Sequence, residues 1–245
     1  RSRSSAAGPA LRDGFFTVLI DRESSRMPIR YTRRMRITKF GHCCLLIEEG
    51  GLRILTDRGS LSMGQNDVKD IDVVLITHEH ADHFHTESVQ AVMKNNPGAV
   101  VITNTAVGAL LEKLGVKFLK VEHGGHFIQG DVRFEGFGNE HAAFHPSIPN
   151  VQNTGYFIGD RLFYPGDAFT VPGRPVDVLA LPVAGPWMKF SEAVDYAVAT
   201  KAKKAFPVHE GIMKSPAFII QRMGMVLEKF GVAFTPLGEG ETAEF

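Results

Sequence analysis

No apolar run in the sequence approaches the ~18 residues that a membrane-spanning helix needs, although 44% of the 245 residues are apolar. That composition suits one sizeable buried core and argues against a membrane partner. Cysteine is nearly absent: Cys43 and Cys44 are the only two. Neighbours in a strand face opposite ways, so this pair makes neither a disulfide nor a two-thiol metal site. Without a disulfide framework, the expected compartment is a reducing cytoplasm. An excess of either charge is missing too, with 27 basic and 27 acidic residues. The balance is uneven along the chain, however. Residues 1–34 hold eight Arg against three acids, and the remainder 19 bases against 24 acids. A mildly acidic body lacks the basic track that a nucleic-acid substrate calls for.

Residues 1–34 open with Arg1-Ser2-Arg3-Ser4-Ser5 and read as a flexible extension outside the core. An organelle transit peptide is the alternative reading of such an Arg- and Ser-rich leader. From Met35 the patterning changes, and residues 35–245 are expected to form a single domain. Arg36–Phe40, Cys44–Glu48 and Leu52–Thr56 read as an antiparallel meander, with Glu49-Gly50-Gly51 turning the chain. Val73–Ile76 is a continuous apolar run, as a strand buried on both faces should be. Thr86 is the expected N-cap of a helix to about Lys94, and Asn96-Pro97-Gly98 stops it. A strand at Val100–Thr103 and a helix over Thr105–Leu114 follow, the latter closed by Gly115.

Further strands are predicted near Phe118–Val121, Gly125–Ile128 and Val132–Gly136, and a hairpin over Thr154–Ile158 and Arg161–Tyr164. Asp177–Leu181 reads as another buried strand, and Ser191 as the cap of the next helix, whose apolar positions fall at helical spacing. A strand at Ala205–Val208, a helix from about Pro216 to Phe230 and a strand at Val232–Thr235 complete the pattern. Blocks of strands alternate with blocks of strand–helix alternation. Two mixed β-sheets packed face to face, with helices on both outer faces, satisfy that order: an α/β fold of four layers.

The residues that carry chemistry lie where predicted strands end, on loops held by a rigid scaffold. His78, His80, Asp82, His83 and His85 crowd into eight positions of a chain with only ten histidines. Scattered surface histidines do not make such a cluster. A strand running out into a tight turn presents His78 and His80 to one side, and Asp82 and His83 to another. Glu79 alternates away from the ligand side. Imidazole with carboxylate suits zinc, manganese or iron better than calcium or magnesium. Four donors divided two and two imply two metals ~3.5–4 Å apart, each still short of ligands.

The missing donors are sought at other strand ends. His141 follows the strand Val132–Gly136, with His145, four residues on, as its rival. Asp167 follows Arg161–Tyr164, and Gly166 before it permits a close backbone approach. His209 follows Ala205–Val208. Asp167 is the residue that can bridge both metals, giving His78, His80 and His141 to one and Asp82, His83 and His209 to the other.

The run His78-Glu79-His80-Ala81-Asp82-His83 resembles the HxHxDH signature of the metallo-β-lactamase superfamily. The order Asp57, His141, Gly166-Asp167 and His209 is similar to that family's pattern from Met35 onward. Gly41-His42-Cys43-Cys44 with Leu52–Asp57 resembles its compact branch, which includes ascorbate-phosphate lactonase. That branch often has Asp-Pro-Gly where this chain has Asp57-Arg58-Gly59. The resemblance implies that Asp57 orients a ligand loop through hydrogen bonds and that His42 faces the pocket or packs structurally. His145 and Trp187 are further candidates for substrate contact. His85 is expected to be solvated, and His123 and His126 to be turn residues.

These residues predict hydrolysis by a hydroxide shared between two divalent cations, zinc foremost and manganese or iron next, with Asp82 and Asp167 as the catalytic carboxylates. The branch resemblance implies an ester or lactone bond of a small molecule, in a phosphorylated sugar-like compound. The rivals are a phosphodiesterase or nuclease of the same fold and a non-catalytic metal-binding module. A monomer and a homo-oligomer are equally compatible with the sequence.

Overall fold

The computed structural model describes residues 34–62 and 64–245. The expected extension over residues 1–34 therefore lies outside the described residues except for Arg34. Met35 is fully buried, and its carbonyl accepts a hydrogen bond from the backbone N–H of Phe245 (2.9 Å).

The first sheet holds β1 (Arg36–Gly41), β2 (Cys44–Glu49), β3 (Leu52–Thr56), β4 (Val73–Leu75), β5 (Val100–Thr103), β6 (Leu119–Lys120) and β14 (Thr242–Glu244). Their spatial order is β14-β1-β2-β3-β4-β5-β6. The second holds β7 (His126–Gln129), β8 (Val132–Phe137), β9 (Gly155–Ile158), β10 (Leu162–Tyr164), β11 (Val178–Pro182), β12 (Lys204–Val208) and β13 (Ala233–Phe234). Its order is β13-β12-β11-β10-β9-β8-β7. Each sheet is mixed. Pairing is parallel from β3 to β6 and from β10 to β13, and antiparallel in the other half of each sheet.

The strand pattern explains the layers. In β4, Val73 and Leu75 face the core between the sheets, while Val74 and the following Ile76 face outward. In the hairpin, Ile158, Leu162 and Tyr164 point inward and Phe157 and Phe163 outward. A strand apolar on both faces must be covered on both. Helices α1 (Thr86–Asn95) and α2 (Thr105–Lys113) accordingly cover the first sheet, contributing Val89, Val92, Val107 and Leu111. Helices α3 (Phe190–Ala199) and α4 (Ala217–Glu228) cover the second, through Ala193, Ala197, Met223 and Leu227. The result is the expected four-layer sandwich of two mixed sheets flanked by helices. Cys43 and Cys44 obey the same alternation: both are free and buried, Cys43 in the inter-sheet core and Cys44 in the outer layer.

Three local expectations need correction. His85, not Thr86, is the N-cap of α1, because its carbonyl already accepts from the Val89 N–H (2.9 Å). Ser191 lies inside the first turn of α3; Lys189 is the N-cap, and its N–H donates to the Glu192 carboxylate (2.7 Å). The edge strand β14 was not expected at all. Among the described residues, no helix is long and apolar enough to cross a membrane.

Candidate metal centre

The carboxyl ends of β3, β4, β10 and β12 deliver Asp57, the His78–His83 loop, Asp167 and His209 to one place, as parallel strands commonly do for binding sites. The β1–β2 turn adds His42, and the β8–β9 loop adds His141. Among the described residues three overlapping donor groups result. His78, His80 and His141 form one, His42, Asp82, His83 and His209 another, and Cys43, His83 and Asp167 a third, with the ligand atoms of each group within 4.8 Å of one another. Asp167 lies between the first two. Its Oδ1 is 3.2 Å from His83 Nε2, and its Oδ2 is 2.7 Å from His209 Nε2 and 3.4 Å from His141 Nε2.

The imidazoles are oriented from behind. Nδ1 of His83 donates to Asp57 Oδ2 (2.7 Å), and Nδ1 of His141 donates to the Ala142 carbonyl (2.6 Å). The Thr77 hydroxyl donates to Asp57 Oδ2 (2.7 Å), which leaves its oxygen to accept from His78 Nδ1 (3.0 Å). With Nδ1 occupied, each ring turns its Nε2 lone pair toward the centre. Nε2 of His83, His141 and His209 are buried and make no well-aligned hydrogen bond, and each faces the Asp167 carboxylate at 2.7–3.4 Å. Three buried imidazole nitrogens turned on one carboxylate form a donor set that fits a cation.

Electrostatics agree with that arrangement. Burial, reinforced by the neighbouring His83, holds His78 well below the ordinary imidazole range, in the neutral form a metal requires. Burial also lowers His80 and takes His42 down to about 4, against its contact with Asp82. Burial opposes ionisation of Asp167, but His83 and His209 overcome it and hold the carboxyl well below its usual value. The reciprocal attraction overcomes the burial of the two imidazoles. It raises His83 well above its ordinary value and pushes His209 up to about 10. The carboxylates thus favour a cationic charge on these rings, and a metal held there would take the place of their protons.

The backbone is bent to make the site. His42 (φ 49°), Asp57 (φ 23°) and His209 (φ 69°) all occupy the left-handed region that non-glycine residues avoid, a strain that clusters at functional sites. Gly166 (φ 64°) is required by packing, since a Cβ there would lie 2.3 Å from Asn153 Oδ1 and 2.8 Å from Thr77 Cβ. Gly59 is required even more strictly, with the Asp82 carbonyl 1.6 Å from where its Cβ would be. The Asp57–Ser60 loop thereby clasps the histidine loop, Ser60 N–H donating to the Ala81 carbonyl (2.8 Å) and His85 N–H to that of Arg58 (2.9 Å).

His78, His80, Asp82, His83, His141, Asp167 and His209 are thus gathered within one centre. His42, expected as a pocket or structural residue, joins the donors: its Nε2 is 3.2 Å from Asp82 Oδ2, and its ring centroid is 4.2 Å from that of His209. His145 is exposed and bonded to Ser147, outside all three groups. Trp187 is nearly buried, and its indole N–H donates to Asp167 Oδ2 (3.1 Å). His85 is half-buried and bonded to Ser88 and Glu87. Asp57 holds four hydrogens, from Thr77 N–H, the Thr77 hydroxyl, His83 and the Tyr164 hydroxyl (2.7 Å).

Supports without a sequence signal are Thr77, Tyr164 and the buried Lys39, whose ammonium reaches Glu210 and the Pro207 carbonyl (2.8 Å) behind His209. Arg58, where the resembled branch has proline, is fully buried, and none of its guanidinium nitrogens has a hydrogen-bond partner.

Comparisons with known proteins point the same way. Residues 36–209 match the beta-lactamase superfamily domain. The chain is 39% identical over 188 residues to Protein Rv0786c of Mycobacterium tuberculosis, covering 75% of this chain and 87% of that protein. A UPF0173 metal-dependent hydrolase of Carboxydothermus hydrogenoformans is 26% identical over 228 residues, 84% of this chain and 98% of the relative. Among solved structures, Igni18, a metallo hydrolase from Ignicoccus hospitalis, shares the fold with a TM-score of 0.69 at 21% identity, covering 87% of this chain and 99% of that one. Fold, motif order and relatives converge, and the chain belongs to the metallo-β-lactamase superfamily.

Proposed function

We propose that this protein is a hydrolase with a binuclear metal centre, acting on an ester, lactone or related bond of a small molecule. The observation that carries the reading is the convergence of the buried Nε2 atoms of His83, His141 and His209 on one carboxylate, Asp167, at 2.7–3.4 Å. His78, His80 and His141 would hold one divalent cation and Asp82, His83 and His209 the other, with Asp167 shared and His42 beside the second group. Zinc suits this donor set best, and manganese or iron next. Two such cations supply Lewis acidity and lower the pKa of a shared water toward about 7.

The chain's own residues position that chemistry. Trp187 and His209 both hold Asp167 at its Oδ2. Asp57 fixes His83, and through Thr77 it also fixes His78. Asp82 is the most exposed carboxylate of the centre, with its side chain 26% exposed. It is therefore the group placed to hold an attacking water by a hydrogen bond; against the pull of burial, His209 and His42 keep its carboxyl ionised, well below the usual carboxylate range. The name of the Carboxydothermus relative supports hydrolysis over mere metal binding.

A panel of lactones, carboxylic esters and bis-phosphodiesters, assayed with and without a chelator, tests the reading. Turnover of a lactone or ester is expected, lost on chelation and reduced at least about a hundredfold in His80→Ala and Asp167→Ala. Near-wild-type rates in both variants would overturn it, and turnover of phosphodiesters alone would move the protein to the nuclease class.

A further inference from the structure

The β8–β9 loop does more than carry His141. Past that residue it folds back on itself, with Ile148 N–H donating to the His145 carbonyl (2.9 Å), Ser147 N–H to His145 Nδ1 (3.2 Å) and His141 N–H to the Val151 carbonyl (3.0 Å). The fold-back encloses a cleft of about 220 Å³. His80 and His141 form its inner end; Phe144, Ile148, Pro149 and Val151 form its walls, with Asn150 as its one amide. The Phe144 ring lies nearly parallel to the His141 imidazole, centroids 5.1 Å apart at 17°, and edge-on to His80 at 5.9 Å. Even so, Phe144 is 38% exposed and Ile148 53% exposed. An exposed Phe144 stacked on a donor imidazole, with an exposed Ile148 lining the same cleft, marks a surface shaped to be covered.

We propose that this cleft binds the apolar acyl or aryl group attached to the scissile bond, so that the substrate is an ester or lactone carrying a hydrophobic group rather than a phosphorylated sugar. The inference rests on the hydrolase reading and narrows it. The volume exceeds the ~150 Å³ that accommodates a benzene ring, which allows a phenyl group or a medium-length acyl chain. Continuity with His80 and His141 puts such a group beside the candidate metal centre. A phosphate in the same place would lose its hydration against walls that offer it one amide and no cationic side chain.

Straight-chain hydroxamic acids from acetyl to octanoyl, titrated calorimetrically into the metal-loaded full chain, test the cleft without requiring turnover. Their polar ends anchor on the metals, so the slope of affinity against chain length reports the cleft. Affinity is expected to rise up to about fourfold per methylene, then level off once the cleft is full. Phe144→Ala and Ile148→Ala, both on the surface, should flatten that slope while metal content stays at the wild-type value. Affinity independent of chain length would overturn the proposal, as would an unchanged slope in both variants. A change of oligomeric state in Ile148→Ala with no chain-length effect would instead assign the face to a second copy of the chain. A rising slope in a protein that hydrolyses no ester or lactone would uphold the cleft and overturn the ester or lactone reading alone.

Discussion

At the scale of single residues, the centre depends on side chains that never reach its middle. Asp57 sits at φ 23° and takes hydrogens from Thr77, His83 and Tyr164. Asn tolerates this backbone nearly as well as Asp, so Asp57→Asn removes the charge with little added strain. Metal affinity, measured by competition with a chromophoric chelator, should fall about 10–100-fold; an unchanged affinity would mean Asp57 does not orient the ligands. Arg58 poses the opposite case. Burial without a partner takes its guanidinium down to about 10, still charged at neutral pH. An unpaired buried cation is a cost, and Arg58→Met should raise unfolding free energy by about 1–4 kcal/mol in denaturant melts. A loss of stability would show that the cation is compensated.

The candidate donors are legible in the sequence because metal ligands are particular atoms expected at strand ends, and His78, His80, Asp82 and His83 lie within six positions of one loop. Their supports are not legible. Tyr164 is 107 residues from Asp57, and only the folded sheets bring them together. His42 illustrates the limit: the resemblance leaves it between a pocket and a structural role, and only the fold shows its ring 4.2 Å from that of His209.

At the scale of elements, the strands that hold the site are those with the clearest patterns. Buried parallel strands such as β4 and β11 have apolar residues on both faces and are read directly from the sequence. Strand β14 is missed because Thr242–Glu244 is short, polar and half-exposed on the sheet edge, where propensity says little. The helix starts at His85 and Lys189 are displaced from the expected caps because the His85 carbonyl opens α1 and the Glu192 carboxylate holds the Lys189 N–H at the start of α3, so that no Ser or Thr side chain sets either first turn. One tie between elements governs the rear of the site. Lys39 on β1 is wholly buried against Glu210, which follows His209. Burial lowers the ammonium and Glu210 holds it up. Lys39→Met strands a buried carboxylate and should cost about 3–5 kcal/mol by chemical denaturation, with Glu210→Gln added to it restoring much of the loss. If the double variant is no better than the single one, the two residues are not a pair.

At the scale of the whole molecule, two sheets of mirrored construction bring their parallel strand ends to a common rim. The inter-sheet core needs no metal to explain it: it is filled by Ile, Leu, Val, Phe and Tyr side chains. The rim is where a metal fits, for it gathers seven ligand-type side chains around Asp167, with Cys43 beside His83. Elemental analysis of the protein after reconstitution and removal of free metal tests this most directly. Close to two divalent metal ions per chain, falling when Asp167 is replaced by alanine, is the expected result. A chain that retains no metal, or holds as much after losing Asp167, would contradict the binuclear centre.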